Sequence, residues 1–183
     1  MDQGCVLLLD DEEDLRASLT QGLELSGQTV FATGQAEDAL ERVTRDFYGV
    51  LVTDIRMPGT DGFQVMRRAF EIDPALPVVL ITGHGDVPLA VEAMRAGAYD
   101  FMEKPFSVTS LASVVERALE KRRLVLENRK LREELADRTG LESRLVGRAP
   151  SMEQLRRTVS ALAATDADVL ILGETGAGKE VVA

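Results

Sequence analysis

Hydrophobic residues follow two kinds of pattern along this 183-residue chain. Three runs, Val6-Leu7-Leu8-Leu9, Val50-Leu51-Val52 and Val78-Val79-Leu80-Ile81, are short and free of polar residues. Each is too brief for a helix, and unbroken apolarity is what a strand covered on both faces of a parallel sheet requires. Between the runs, apolar positions recur at helical spacing: Leu15, Leu19 and Leu23 ahead of Gly27, then Ala36, Ala39, Leu40 and Val43, and later Phe63, Val65, Met66 and Phe70. Helices are predicted there. Residues 29–32 and 99–103 supply two more strands, and the second alternates apolar with polar side chains, which suits a sheet edge. Five βα units of this kind predict an α/β fold with a doubly wound five-stranded parallel sheet, whose ligands gather at the carboxyl ends of the strands.

Ser107 is a cap for a further helix whose first stripe, Leu111, Val115 and Ala118, covers the sheet. Nothing interrupts it before Thr139-Gly140, a natural stop. A helix of ~32 residues reaches ~48 Å at ~1.5 Å per residue, so its second half needs another partner. Leu124, Leu131 and Leu135, with Asn128 at an intervening position, fit a short two-stranded coiled coil whose buried asparagine fixes register. Homodimerisation is the functional reading, and a solvated helix laced by ion pairs is the alternative.

Beyond that helix, Ser151 and Gln154 form a capping box for a helix through about Ala163. Residues 169–172 read as a buried strand running into Gly173-Glu174-Thr175-Gly176-Ala177-Gly178-Lys179-Glu180, a phosphate-binding loop. Its glycines let backbone N–H groups converge on a phosphate while the lysine supplies a point charge. Glu180 stands where the general pattern has a hydroxyl for Mg²⁺. Expected boundaries are therefore 1–120 for the α/β domain, 121–140 for the helical linker and 141–183 for the start of a further domain.

Charge separates these regions. Residues 1–115 hold 19 acids and 8 bases, residues 116–138 hold 6 and 8, and the whole chain carries −10. The first region should repel nucleic acid. A single cysteine, Cys5, forbids an internal disulfide and, without a histidine nearby, reads as a small buried hydrophobe. No apolar run nears the ~20 residues of a membrane span. A cytoplasmic setting without membrane contact is expected.

The candidate chemistry lies where the predicted strands end. The first run closes on Asp10-Asp11, the next on Thr53-Asp54, the third on Thr82, and the last strand leads to Lys104-Pro105. Three carboxylates meeting at one edge would raise at least one pKa unless a divalent cation and the Lys104 ammonium offset the charge. Oxygen-only donors suit Mg²⁺, an ion that keeps room for phosphate oxygens. Asp10, Asp11 and Asp54 would then hold the metal, Asp54 would act as nucleophile towards a phosphoryl donor, and Lys104 and the Thr82 hydroxyl would meet the phosphoryl oxygens. An aspartate after a strand is often only a helix cap. The combination of a paired Asp, a third Asp, a Thr and a Lys-Pro, each closing a successive strand, is hard to obtain from capping alone. His84, two residues past Thr82, is given a minor role.

These residues carry a resemblance. Asp10-Asp11, the stretch from Asp54 to Gly62, Thr82 and Lys104-Pro105-Phe106 resemble a response-regulator receiver domain, which has a flavodoxin-like fold. The resemblance implies that a sensor histidine kinase donates a phosphoryl group to Asp54, that Asp11, Asp54 and the backbone carbonyl of Arg56 bind Mg²⁺, and that Asp10 acts through water. It further implies a switch in which Thr82 moves toward the phosphoryl group and Phe101 turns inward, and a cis Lys104–Pro105 bond. The phosphate loop resembles that of sigma-54-dependent activators of the AAA+ class, so the chain is similar to NtrC-family regulators, within them to those controlling C4-dicarboxylate transport. The implied protein is a homodimer paired through receiver and linker, contacting sigma-54 RNA polymerase and DNA through regions beyond residue 183. ATP is implied for the complete protein only, and ATPase activity of this chain is expected to be absent. A structural dimerisation module with a non-phosphorylated receiver remains the alternative.

Overall fold

The computed structural model describes residues 4–83, 87–145, 147, 149–163, 169–174 and 179–182, with the side chains of 136–144, 180 and 181 outside the description. The chain divides into two compact units, Met1–Glu127 and Asn128–Ala183.

In the first unit β1 (Cys5–Leu9) leads to α1 (Glu13–Leu25), β2 (Thr29–Thr33), α2 (Ala36–Leu40) and β3 (Gly49–Asp54). A small hairpin, β4 (Arg56–Met57) and β5 (Thr60–Asp61), precedes α3 (Gly62–Ile72), β6 (Val78–Thr82), α4 (Val87–Arg95), β7 (Asp100–Glu103) and α5 (Val108–Arg144). The five longer strands pair in parallel in the order β2-β1-β3-β6-β7, the flavodoxin-like arrangement. β3 and β6 are buried at every residue, whereas β2 and β7 are the partly exposed edges. The apolar runs and the alternating one therefore sit where their patterns require.

Alternate side chains of each central strand feed opposite faces. Leu7, Leu9, Leu51, Val78 and Leu80 pack against α2, α3 and Ala93 of α4. Val6, Leu8, Val50, Val52, Val79 and Ile81 pack against Leu19 and Leu23 of α1 and Leu111, Val115 and Ala118 of α5. Burial of one such aliphatic side chain is worth about 1.5–3 kcal/mol, so this double layer is what holds the strand ends in place.

Local signals set most element ends. Gly27 takes φ +84° just past α1, as a helix terminator does, and Pro58-Gly59 turns the hairpin with Gly59 at φ +78°. Ser107 caps α5 through its Oγ, which accepts the Ser110 N–H at 3.0 Å. Four expectations are corrected. The helix predicted through Val43 ends at Leu40; Val43 stays buried, but the chain turns with Arg42 and Val43 N–H groups donating to carbonyls three residues back. The linker helix does not stop at Gly140 but continues to Arg144, because one glycine costs a helix only about 1 kcal/mol. α6 (Pro150–Ala163) starts one residue before Ser151: Ala149 supplies the first carbonyl, and proline's fixed φ suits the first helical position. Residues 169–172 form no strand; Leu170 and Leu172 are 82% and 84% exposed, and no strand among the described residues offers them a ladder.

Candidate functional site

β1, β3 and β6 lie side by side, so the residues that follow them emerge along one edge of the sheet. Asp10 follows β1, Asp54 ends β3 and Thr82 ends β6; all three are buried. Lys104 follows β7, and its backbone N–H donates to the Thr82 carbonyl at 2.7 Å, which locks its stem to the end of β6. The peptide bond to Pro105 is cis, as expected.

The Lys104 ammonium reaches across this edge. It donates to Asp54 Oδ2 in a short ion pair, to Asp10 Oδ2 at 3.1 Å, and lies 3.7 Å from Glu12 Oε1. The remaining oxygens of the two aspartates are held by backbone: Asp54 Oδ1 accepts the Arg56 N–H at 3.0 Å, and Asp10 Oδ1 accepts the Glu12 N–H at 2.9 Å. Both carboxylates are thus fixed in rotation before any ligand arrives. Burial pushes the Asp10 carboxyl above its ordinary range, more than the Glu12 N–H and Lys104 lower it, and the neighbouring Asp54 charge adds to the rise. Burial works against the Lys104 charge as well, but the Asp54 and Asp10 carboxylates outweigh it and lift the ammonium above its ordinary value. One cation therefore faces three acids: a site with excess negative charge.

Carboxylate oxygens of Asp10, Glu12 and Asp54 lie within 4.8 Å of one another, an all-oxygen donor set that fits a hard divalent cation. Glu12 is the residue the sequence reading missed. In the run from Asp10 to Asp14 it looks like another acid favouring a helix start, and its reach back toward Lys104 is a tertiary fact. Asp11 is exposed and lines an adjoining open cleft of about 820 Å³ with Arg56, Met57, Asp61 and Arg67, rather than joining those three acids. Arg56, on β4, places its backbone at the mouth of the site.

The floor beneath Asp54 is tight. Gly62 donates its N–H to the Ile55 carbonyl at 2.9 Å, and a Cβ there would come within 2.3 Å of the Asp54 carbonyl oxygen. Asp61 then caps α3 by accepting the Phe63 N–H. Phe101 on β7 packs partly buried against the core face that includes Leu89 of α4. His84 lies outside the described residues. Cys5 is half-buried, and burial pushes its thiol up, away from nucleophilic use.

In the second unit, Thr175, Gly176, Ala177 and Gly178 of the phosphate loop lie outside the described residues, and of Glu180 only the backbone is described. Gly173 and Glu174 are exposed, and their carbonyls accept the Lys179 ammonium at 2.8 and 2.7 Å, where α7 (Lys179–Val182) begins. Among the described residues no helix is long and apolar enough to cross a membrane.

Comparison with known proteins agrees with this geometry. Residues 6–116 match the family described as response regulator receiver domain, and residues 145–183 the sigma-54 interaction domain. The C4-dicarboxylate transport transcriptional regulatory protein DctD of Pseudomonas aeruginosa is 58% identical over 97% of this chain, and the DNA-binding transcriptional regulator NtrC of Escherichia coli K12 is 33% identical over all of it. The chain spans 38% of the length of each. The beryllofluoride-activated NtrC4 receiver domain dimer superposes with a TM-score of 0.60 at 37% identity, over 64% of this chain and 98% of that one. A sheet that presents Asp10, Asp54, Thr82 and Lys104 along one edge, followed by the beginning of a sigma-54 interaction domain, places the chain in the response regulator receiver family, among regulators of the NtrC type.

Proposed function

We propose that this chain is the phosphoacceptor and linker portion of a sigma-54-dependent transcriptional activator, with Asp54 taking a phosphoryl group from a sensor histidine kinase. One observation carries the reading: Asp54 projects from the central strand with one oxygen fixed by a backbone N–H and the other paired to Lys104, while Asp10 and Glu12 leave the site short of positive charge. Asp54 attacks the phosphorus of a phosphohistidine whose other ring nitrogen is protonated, the phosphorus–nitrogen bond breaks with its electron pair going to nitrogen, neutral imidazole leaves, and an acyl phosphate remains. Lys104 can follow the charge onto the new phosphoryl oxygens without leaving the edge, and the Thr82 hydroxyl lies one strand away to donate a hydrogen bond to them. Mg²⁺, when bound, supplies the charge neutralisation that phosphoryl transfer requires. Asp54 and the Arg56 carbonyl would hold it, joined by Asp11 from the cleft that it lines with Arg56, while Asp10 acts through water and Glu12 adds charge. Hydrolysis of the acyl phosphate by the same site makes the cycle reversible; the chain is a self-modifying switch rather than a turnover enzyme.

The signal leaves through Thr82 and Phe101 and through α5. Leu124, Leu131 and Leu135 are 52%, 52% and 58% exposed at coiled-coil spacing, surface that a second copy would cover. The names of the relatives point to control of C4-dicarboxylate transport. ATP, sigma-54 polymerase and DNA would be engaged by the complete protein, with residues 173–180 as part of the nucleotide site.

Beryllofluoride with Mg²⁺, read by size-exclusion chromatography with light scattering and by small-angle scattering, tests this. Wild type should change dimer geometry in a Mg²⁺-dependent way and Asp54→Asn should not. Identical scattering from both, with no Mg²⁺ dependence, assigns the chain to a structural dimerisation role.

A further inference from the structure

The sheet has a second buried ionic site at the end opposite Asp54. Among the described residues Arg122 is the largest side chain with no solvent exposure, and the Asp73 carboxylate it meets is equally sealed. Its guanidinium makes three directed contacts: Nε to the Phe47 carbonyl at 2.8 Å, Nη2 to the Arg45 carbonyl at 3.0 Å, and Nη1 to Asp73 Oδ2 at 2.6 Å. The other oxygen of Asp73 accepts the Ala75 N–H at 3.0 Å.

The placement of these acceptors matters more than their number. Arg45 and Phe47 lie in the loop that enters β3, and Asp73 lies in the loop that enters β6. Those two neighbouring strands, buried throughout, end in Asp54 and Thr82. On α5, Arg122 continues the stripe Leu111, Val115, Ala118 at helical spacing, yet it is an ion on an otherwise apolar stripe. A hydrophobic side chain there would bury without regard to heading. A planar fork of donors meets three fixed acceptors in one orientation only, which a lysine cannot reproduce.

We propose that Arg122 is a positioning residue that fixes the heading of α5 as it leaves the α/β domain, by binding the helix to the loops from which the Asp54 and Thr82 strands start. Its importance for signalling rests on the reading of α5 as the output of the receiver, but the anchoring itself does not.

The test uses the full 183-residue chain with Cys5→Ser and spin labels on Gln21→Cys of α1 and Glu127→Cys of α5, both exposed positions within the first unit. Excess unlabelled chain restricts the pulsed-EPR readout to distances within one molecule. Arg122→Lys should broaden the distance distribution at least twofold. Arg123→Lys, one residue on, where the side chain is exposed and keeps its pair with Glu120 on its own helix in the labelled chain, should leave it unchanged. A fluorine NMR signal from bound beryllofluoride reports that each variant keeps a working Asp54 site. An Arg122→Lys chain that binds beryllofluoride and keeps the wild-type width overturns the proposal. If Arg122→Lys fails to bind beryllofluoride, Asp73→Asn decides instead, since it keeps the shape of the side chain but removes its charge and turns one of the two accepting oxygens into a donor: broadening supports the anchor and wild-type width overturns it. A wild type whose distance does not respond to beryllofluoride, alongside a broadened Arg122→Lys, sinks the output reading and leaves the anchor standing.

Discussion

The two ends of one parallel sheet hold buried ions on opposite terms. At the carboxyl end, one ammonium is shared among Asp10, Glu12 and Asp54, and its side chain retains 16% exposure. At the amino end, Arg122 and Asp73 form an ion pair with no exposure on either side. Excess negative charge within reach of water can exchange partners and so can respond to a cation or a phosphoryl group. A matched and sealed pair cannot, because separating it leaves an uncompensated charge in the interior. The difference separates a site built for change from one built for permanence, although strands β3 and β6 connect the two.

The largest expected effect comes from breaking the permanent end. Asp73→Ala should lower unfolding free energy by about 3–5 kcal/mol in urea titrations, the usual cost of orphaning a buried charge. Lys104→Met removes the cation of the ion cluster at the other end, but added Mg²⁺ should narrow its deficit against wild type and leave the Asp73→Ala deficit as it was. Equal recovery of both variants would erase the contrast. Next in size is Gly62→Ala, whose Cβ has only 2.3 Å to the Asp54 carbonyl oxygen; about 1–3 kcal/mol of strain is expected, with weakened beryllofluoride binding in the fluorine NMR spectrum.

Smallest is Asp10→Asn, which should stabilise the Mg²⁺-free protein at neutral pH. The sign follows from burial. Asp10 titrates above its ordinary 3.8 in the fold, so the fold binds its proton more tightly than the unfolded chain does. That contribution is complete below the unfolded value and is lost as pH rises through the folded one. The advantage of asparagine should therefore be absent near pH 3, grow through the Asp10 titration range, and hold at pH 7, as read from urea midpoints. A difference independent of pH would assign the effect to packing.

The reactive end was legible because its residues are tied to strand ends, and strand ends are marked by where apolar runs stop. Asp10, Asp54 and Thr82 each close such a run and Lys104 follows the alternating edge strand, so topology alone brings them together. Glu12 escaped notice because its contact with Lys104 spans 92 positions and leaves no local mark. Arg122 was hidden differently: in a segment with eight bases, nothing in spacing separates the one that is sealed from the six others whose side chains are described and are not. Its only signature is that it continues the stripe of Leu111, Val115 and Ala118, and helical periodicity treats a charge on that stripe as the end of burial. The failed strand at 169–172 teaches the converse. Val169 to Leu172 have strand composition, but a strand is a property of its neighbours as much as of its residues.

The sealed guanidinium also bears on how such a domain could be cut and rejoined. A chimaera that grafts this α/β domain onto a foreign effector needs a seam within α5. A splice after Glu120 would discard Arg122 and deprive the Asp73 carboxylate of its guanidinium, so the graft would inherit a damaged scaffold beneath an intact Asp54 site. Moving the seam past Glu127 carries the arginine across with the loops it grips.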